Sequence, residues 1–413
     1  MYDLIVKGGL LVDPSQGIRA KKDVAIHQGW VVRIEDDLDA EPKRNAEQVI
    51  DASGRIVCPG LVDMHFHARP ERAGHIPFSR DVFWSISLDP DRVLGTGVTT
   101  AVDAGSYGVN NFSLAFLPMA ETSRTKLFAF INPLPFGLAD SSEQGLGDAD
   151  LYRVVDLYER NEDRIVGLKV LLSKRYWCNW GTPLDYLDAA RKVADVTGLP
   201  IMVHGIRVDQ IKWLKGITFR DIVSRLRMGD VISHCFCQYK SFVSWKAVDE
   251  VREAVERGVV LDVGHGTGSF SFDVAERALE LDLPPTTIST DLHHCNYAGP
   301  VYDLATTMSK FLALGMSLDK VIEKATSAPA RVIGMTGTCG TLKVGAAADI
   351  VIFDLAQGDF TFEDSYGNQR TGHERLIPRA VLCDGIVHLG GTWSDVGLVS
   401  GGPLMPPEQL GSS

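Results

Sequence analysis

The apolar residues in the first part of the chain come in short runs that are rich in β-branched side chains and separated by turn residues. These runs lie at 4–6, 10–12, 24–26 and 30–34, and similar runs return at 350–353 and 380–383. Such runs are typical of short strands joined by tight turns. Because neither end has enough apolar residues for a core of its own, the pattern predicts one small β-sandwich built from 1–57 and 336–413.

Between these ends, over 58–335, apolar runs alternate with helical patterns such as 246–257, 272–281 and 302–314. This alternation predicts parallel βα units. Eight strands are expected, with carboxyl ends near His65, Asp103, Ile131, Val170, His204, His234, Asp262 and Asp291. The length suits a TIM barrel, which takes about 250 residues. The predicted fold class is therefore α/β: a (β/α)8 TIM barrel with a small β-sandwich domain formed by both chain ends.

Composition narrows the choice of partners. The 413 residues carry a formal net charge of -12, which disfavours nucleic acid and anionic membranes because both bind basic surfaces. No apolar run reaches the roughly 18 residues of a membrane span, and the first residues do not resemble a signal peptide. The seven cysteines form no CxxC pair, which favours a reduced, cytoplasmic protein. We expect a small-molecule substrate, and a homo-oligomer is an open option.

Side chains of metal-ligand type follow several of the apolar runs. His65 and His67 are two residues apart in a predicted strand, so both imidazoles can face the same ion. The other candidates, each close to the end of a further run, are Lys169, His204, His234 and Asp291. A lone His in such a place is more often a core residue. The ordered set, at the strand ends where barrels carry their active sites, predicts a metal centre. Zinc is the expected ion, and manganese, iron and nickel remain open.

Lys169 lies in a run expected to be buried in the barrel wall. Lysine is almost never buried without a partner. One solution is carboxylation by CO2, which converts the amine into an anionic carbamate able to bridge two metal ions. The alternatives are an ion pair with a barrel carboxylate and a side chain that extends to solvent.

With these residues, the chain resembles the amidohydrolase superfamily over nearly its whole length. The matching segments are 59–67, the runs that hold Lys169, His204 and His234, and 289–291 and 345–351. Four further segments, 103–106, 234–236, 262–266 and 299–304, are similar to the dihydroorotase-related branch of amidohydrolase and deacetylase metallohydrolases. The resemblance implies two divalent ions. His65, His67 and Asp291 would bind one ion, His204 and His234 the other, and carboxylated Lys169 both.

This arrangement predicts a metal-dependent hydrolase that cleaves an amide or an acyl ester by means of a metal-bridging hydroxide. Asp291 would take the proton from the nucleophile and deliver it to the leaving group. The expected reaction is deacetylation of a small N- or O-acetyl compound that carries a carboxylate.

Substrate contacts are expected from loops at the barrel mouth. Dihydroorotase-like enzymes bind the substrate carboxylate with an arginine at the position of Arg69, and Arg207 is a second candidate; either could instead form a surface salt bridge. Tyr107 and His265 are predicted to face the same mouth. The run 264–268 is interpreted as a mobile substrate loop rather than a phosphate nest. His293 and His294 are candidate partners of Asp291.

Two alternatives remain. A dihydroorotase-like enzyme that hydrolyses a cyclic amide is the second choice, because 103–107 and 291–295 depart from the Asp-Met-Pro-Asn and Asp-His-Ala-Pro-His patterns of that family. A metal-free scaffold protein with the same barrel is a third reading. It is disfavoured because all six ligand positions are filled.

Overall fold

The computed structural model describes residues 1–38, 46–69, 87–138, 150–172, 182–205, 216–239, 241–244 and 246–389. The strands are β1 (Tyr2–Asp13), β2 (Ile18–His27), β3 (Trp30–Glu35), β4 (Ala46–Asp51), β5 (Ile56–Pro59), β6 (Leu61–Phe66), β7 (Val98–Ala104), β8 (Lys126–Ile131), β9 (Ile165–Leu171), β10 (Ile201–His204), β11 (Val231–Ser233), β12 (Val260–Leu261), β13 (Ile350–Glu363), β14 (Gln369–Cys383) and β15 (Ile386–Leu389). The helices are α1 (Asp91–Leu94), a π-helix (Phe112–Phe116), α2 (Leu117–Thr122), α3 (Leu151–Glu159), α4 (Pro183–Thr197), α5 (Phe219–Val223), α6 (Val248–Glu256), α7 (Phe272–Glu280), α8 (Leu304–Ala313), α9 (Leu318–Ala325) and α10 (Ser327–Val332).

The strands β6 to β12 form a parallel sheet in which neighbours follow chain order. Residues 287–292, the eighth segment, close this sheet into a barrel. On one side, the N–H of His265 donates to the Ser289 carbonyl at 3.2 Å. On the other side, the N–H of Asp291 donates to the His65 carbonyl at 2.7 Å. The predicted α/β fold with a TIM barrel is thus confirmed. The eighth segment is not a regular strand, because Asp291 has a left-handed backbone with φ of 49°.

Apolar side chains fill the barrel interior beneath the predicted ligands. They include Val62, Met64, Val102, Phe130, Met202 and Val231. A larger buried cluster lies between the strands and the surrounding helices. Packing of this kind holds the strand ends in fixed positions, so side chains that follow the strands can be aimed at a common point.

Both chain ends enter one further sheet, in the order β15-β14-β13-β5-β1-β2-β3 with β4 paired to β1. Its core joins residues from the two ends, among them Leu11, Val24, Ile350 and Leu382. The chain passes from this sheet to the barrel at Gly60, whose N–H donates to the Asp349 carbonyl at 2.8 Å. The boundaries predicted at 57/58 and 335/336 stay predictions.

Two details of this sheet differ from the sequence pattern. The runs 4–6 and 10–12 belong to one continuous strand, because a register shift between Val6 and Gly9 lets β1 bend without ending. The runs near 350 and 380 belong to a long hairpin, β13–β14, whose distal half is largely polar. The distal half packs along α8, where the Leu376 N–H donates to Ser309 Oγ at 3.0 Å. Because only one face of this distal half packs against a helix, apolar and polar residues alternate there and its sequence contains no continuous apolar run.

None of the helices in the described part of the chain is both long enough and apolar enough to cross a membrane.

Candidate metal centre

The six predicted ligands lie at the carboxyl ends of the barrel strands. They occupy β6 and the residue after it (His65, His67), β9 (Lys169), the end of β10 (His204), the residue after β11 (His234) and the eighth segment (Asp291). His204 and Asp291 are partly exposed and the other four are buried. The structure therefore brings together residues that are up to 226 positions apart in the chain (291 minus 65).

His65, His67 and Asp291 form one compact group, whose ligand atoms all lie within 4.8 Å of one another. The Oδ1 atom of Asp291 is 3.1 Å from His67 Nε2 and 3.4 Å from His65 Nε2. Burial alone would raise the pKa of Asp291, but the adjacent His65 ring and the hydrogen bond with His67 hold that pKa well below its usual value. The group thus offers two imidazoles and an ionised carboxylate, a ligand set that suits a divalent metal.

The other three predicted ligands adjoin this group. His204 Nδ1 and His234 Nε2 are 3.0 Å apart. The ring centres of His65 and His234 are separated by 5.0 Å. Lys169 Nζ lies 2.9 Å from His65 Nε2.

The protons of two imidazoles are fixed by partners outside the centre. His234 Nδ1 lies 2.7 Å from the Gly264 carbonyl, which can only accept, so the proton is on Nδ1 and the lone pair on Nε2. His65 Nδ1 lies 2.8 Å from Ser233 Oγ. Because that hydroxyl donates to Asp262 Oδ2 at 2.7 Å, it accepts from His65 Nδ1. His65 and His234 therefore both present Nε2 to the centre.

Asp262 is a buried hub beneath His65. Its carboxylate accepts from the hydroxyls of Ser233, Thr287 and Ser289, which come from β11 and the eighth segment. Burial raises the pKa of Asp262, and the hydrogen bonds from Ser233 and Ser289 oppose the rise. From the sequence, Asp262 is expected as a strand end and as part of the segment 262–266, and Ser233 is given no role. An apolar run that ends in a polar residue would have been the only signal for either.

Ser106 has the corresponding role at His67. Its Oγ lies 2.9 Å from His67 Nδ1, and its N–H donates to Asp103 Oδ1 at 2.8 Å. Asp103 also accepts from the Ala68 N–H at 2.9 Å. Residues that hold a metal-binding His by its second nitrogen are a regular part of metal sites.

The Amidohydrolase family matches residues 56–387 of the chain. The chain belongs to this family. It is 37% identical over 335 residues to a deacetylase of Agrobacterium fabrum, covering 78% of this chain and 76% of that protein. It is 30% identical over 399 residues to a deacetylase of Enterococcus faecalis, covering 94% and 99%. A crystal structure of a dihydroorotase has a TM-score of 0.80 at 30% identity and covers 95% of this chain and 99% of that one.

The backbone of this amidohydrolase is unusual at two of the predicted ligands. His234 has φ of 63° and Asp291 has φ of 49°, a region that residues other than glycine adopt at a cost of about 1–3 kcal/mol. Such conformations cluster at functional sites. Gly264 and Gly266 also have positive φ, and they lie directly against the ligands. A Cβ atom on Gly264 would be 2.9 Å from His234 Nδ1 and 3.0 Å from His65 Nδ1.

The predicted substrate residues lie in different surroundings. Tyr107 is buried and its hydroxyl donates to the Ala68 carbonyl at 3.0 Å. His265 is buried, with Nε2 2.7 Å from Lys310 Nζ. Both side chains are thus engaged by the protein itself. Arg69 is partly exposed. The pKa of His294 is lowered by its own burial and, to a smaller extent, by the positive charge of Arg69. Arg207 lies outside the described residues, and the substrate roles of all four stay predictions.

Of the two predicted partners of Asp291, His294 is exposed, whereas the other, His293, is buried. Its ring centre is 6.4 Å from that of His67, and its Nε2 is 3.2 Å from Thr267 Oγ1. Burial lowers the pKa of His293 to about 4. At neutral pH this side chain is therefore an uncharged imidazole, which can accept a proton but is not a cationic acid.

We predict that Gly266→Ala weakens metal binding, whereas Gly268→Ala does not. A Cβ atom on Gly266 would lie 2.4 Å from Asp291 Oδ2, so the carboxylate would have to move, whereas a Cβ on Gly268 meets nothing within 4 Å. The loss should be about 10-fold or more in metal affinity, as for changes to the residues that orient ligands. Titration with zinc against a chelator measures it. Equal zinc affinities for the two variants would show that Asp291 is not a metal ligand.

Proposed function

We propose that this amidohydrolase is a deacetylase that uses two divalent metal ions, with zinc the expected metal, to hydrolyse a small N- or O-acetyl compound carrying a carboxylate. The observation that carries the proposal is the convergence of six side chains of metal-ligand type at the carboxyl ends of the barrel strands. Sequence identities of 37% and 30% to two proteins named deacetylase support acetyl as the group that is removed.

The donor atoms fit a two-ion site. His65, His67 and Asp291 would hold one ion, because their ligand atoms already lie within 4.8 Å of one another. His204 and His234 would hold the other, through the two nitrogens that are 3.0 Å apart. The Nε2 lone pairs of His65 and His234 are directed inward by the partners of their Nδ1 atoms, which is the state that a metal requires.

Lys169 is proposed to be carboxylated and to bridge the two ions. Its side chain is buried, and its Nζ lies beside His65 Nε2 at 2.9 Å and Met202 Sδ at 3.2 Å. A bare ammonium there would repel cations bound by the same imidazoles, whereas a carbamate would bind them. Gly105 leaves the room for this side chain, because a Cβ at that position would lie 2.6 Å from Lys169 Cγ.

When bound, the ions supply a Lewis acid that activates water and polarises the carbonyl of the substrate. Asp291 is held ionised, so it can accept a proton from the attacking water. The same carboxyl then passes the proton to the leaving amine or alcohol. Arg69, two residues beyond His67, is proposed to bind the substrate carboxylate and so to orient the acyl group.

Hydrolysis of a cyclic amide is the second candidate, supported by the likeness to a dihydroorotase structure. The segment at the end of β7 disfavours it, because Asp103 is followed by Ala104, Gly105 and Ser106 rather than by the Met-Pro-Asn with which dihydroorotases hold the pyrimidine ring. An assay of dihydroorotate beside acetylated amino and hydroxy acids, with the same metal-loaded sample, separates the candidates. Turnover of dihydroorotate alone would overturn the deacetylase proposal.

We also propose a cytoplasmic location. It is supported by the six cysteines in the described part of the chain, all of which are free thiols there.

Lys169→Ala should abolish activity and lower the metal content of the purified protein from about two ions per chain, because the proposed bridge is lost. Short carboxylic acids should restore part of the activity by replacing the carbamate. Lys320→Ala, at an exposed lysine, is the matched control. Metal analysis measures the first effect, and the activity of the variant at rising concentrations of a short carboxylic acid measures the second. A mass of intact wild-type protein without the added CO2, when two ions are bound, would contradict the bridge.

Asp291→Asn should retain the fold but lose about 10²- to 10⁴-fold in kcat, because a neutral amide cannot accept the proton. Asp359→Asn changes an exposed carboxylate in the same way and should leave kcat unaltered. Steady-state kinetics on an acetylated amino acid provide the comparison. A kcat for Asp291→Asn within a few-fold of the control would assign the proton transfer to another group.

Arg69→Met should slow hydrolysis of substrates that carry a carboxylate by about 1.5–3 kcal/mol in kcat/KM, the value of a charge-assisted hydrogen bond. A neutral acetyl ester of similar size serves as the control, since it has no group for Arg69 to bind. If both substrates slow equally, Arg69 has a structural role and Arg207 becomes the candidate for the carboxylate.

A further inference from the structure

The tip of the β13–β14 hairpin, residues 364–368, reaches the barrel mouth beside the candidate metal centre. It lies against 264–268, the loop after β12, here named the mouth loop. Ser365 Oγ donates to the Gly266 carbonyl at 3.0 Å. Tyr366 Oη donates to the Gly268 carbonyl at 2.8 Å. The run interpreted from the sequence as a mobile substrate loop is thus hydrogen-bonded to the sheet formed by the chain ends.

Further contacts fix the hairpin tip in this position. The Ser365 N–H donates to the Phe270 carbonyl at 3.0 Å, and Asp364 Oδ2 accepts from the Phe272 N–H at 3.0 Å. Asp364 Oδ1 also accepts from the N–H groups of Tyr366 and Asn368 at 2.8 and 2.9 Å. The same carboxylate therefore shapes the turn and anchors it at the start of α7.

Tyr366 also touches the loop that follows β11. Its Oη lies 3.2 Å from Cys237 Sγ, and its ring centre is 5.9 Å from that of Tyr239. Cys237 is three residues after His234. The tyrosine is thus placed between the mouth loop, which follows β12, and the loop after β11, which begins with the proposed ligand His234.

Lys310 of α8 reaches the same loop from behind. Its Nζ lies 2.7 Å from each of three acceptors: His265 Nε2, the Pro300 carbonyl and the Glu363 carbonyl. An ammonium has three protons, so all of them are used. The contacts join the mouth loop, the loop after the eighth segment and the last residue of β13.

The opposite side of the mouth loop faces the proposed ligands. The Gly264 carbonyl accepts from His234 Nδ1 at 2.7 Å. Gly266 lies against the Asp291 carboxylate, where a Cβ would come within 2.4 Å of Oδ2. A displacement of the loop would therefore remove the carbonyl that keeps the proton on Nδ1 of His234. The same displacement would free the Asp291 carboxylate to move.

We propose that the hairpin tip is a positioning element for the metal centre, in which Ser365 and Tyr366 hold the mouth loop so that His234 and Asp291 stay directed at the ions. The inference rests on the proposed metal-dependent function. In the structure neither residue touches a proposed ligand, and their effect passes through the carbonyl groups of Gly266 and Gly268.

The test compares Ser365→Ala, Tyr366→Phe and the double variant with the wild-type protein. Cobalt(II) is the probe, because its visible absorption reports the arrangement of its ligands. The double variant should bind cobalt(II) about 10-fold more weakly, with an altered spectrum, at the low end of the loss seen when groups that orient ligands are removed. Tyr152→Phe removes a hydroxyl from an exposed tyrosine elsewhere and should change neither property. Ser365→Thr keeps the hydroxyl and should restore affinity and spectrum.

Three outcomes would decide against the inference. If wild-type protein binds no metal, the proposed function fails and the inference fails with it. If the wild-type protein binds metal and the double variant binds it equally well with the same spectrum, the inference alone fails. If the melting temperature falls equally in metal-free and cobalt-loaded double variant while affinity is unchanged, the hairpin tip only stabilises the fold. Tyr366→Phe removes a single oxygen atom, so this variant provides the measurement should the double variant not fold.

Discussion

The proposed metal centre depends on the position of one proton in each imidazole. A ring can present a lone pair only if its other nitrogen carries the proton, so each His needs a partner on its far side. Ser233 and the Gly264 carbonyl provide those partners for His65 and His234. Neither partner belongs to the predicted ligand set, yet the directions of these two lone pairs depend on them.

This requirement extends into the barrel wall. Ser233 accepts from His65 only because its own proton goes to Asp262, and Asp262 is a buried carboxyl group whose oxygens must themselves be satisfied. It is satisfied by Ser289 and Thr287 of the eighth segment. The same hydrogen-bonded network therefore closes the barrel through that segment and orients His65. Asp63 extends it, because its carboxyl accepts from the N–H and hydroxyl of Thr290.

The sheet formed by the two chain ends is part of the same system at the barrel mouth. Through β13 and β14 it extends along α8, and its tip meets the loop that carries Gly264 and Gly266. Lys310 completes the contact from within α8. A buried lysine is acceptable there because three acceptors surround it; burial still lowers the pKa of Lys310, to about 7, against the opposing charge of Asp364. The end sheet and the barrel thus share the task of fixing this loop.

The sequence by itself determined the barrel, a small β domain built from both chain ends and a set of six polar residues at strand ends. These follow from local signals: the period of apolar residues in strands and helices, and polar residues where an apolar run stops. The tertiary structure alone decided which groups hold them. Ser233 and His65 are 168 residues apart, and Ser365 is 99 residues from Gly266, so their contacts leave no periodic trace in the chain. The left-handed backbone of His234 and Asp291, and the glycines that make room beside them, are likewise set by neighbours distant in sequence.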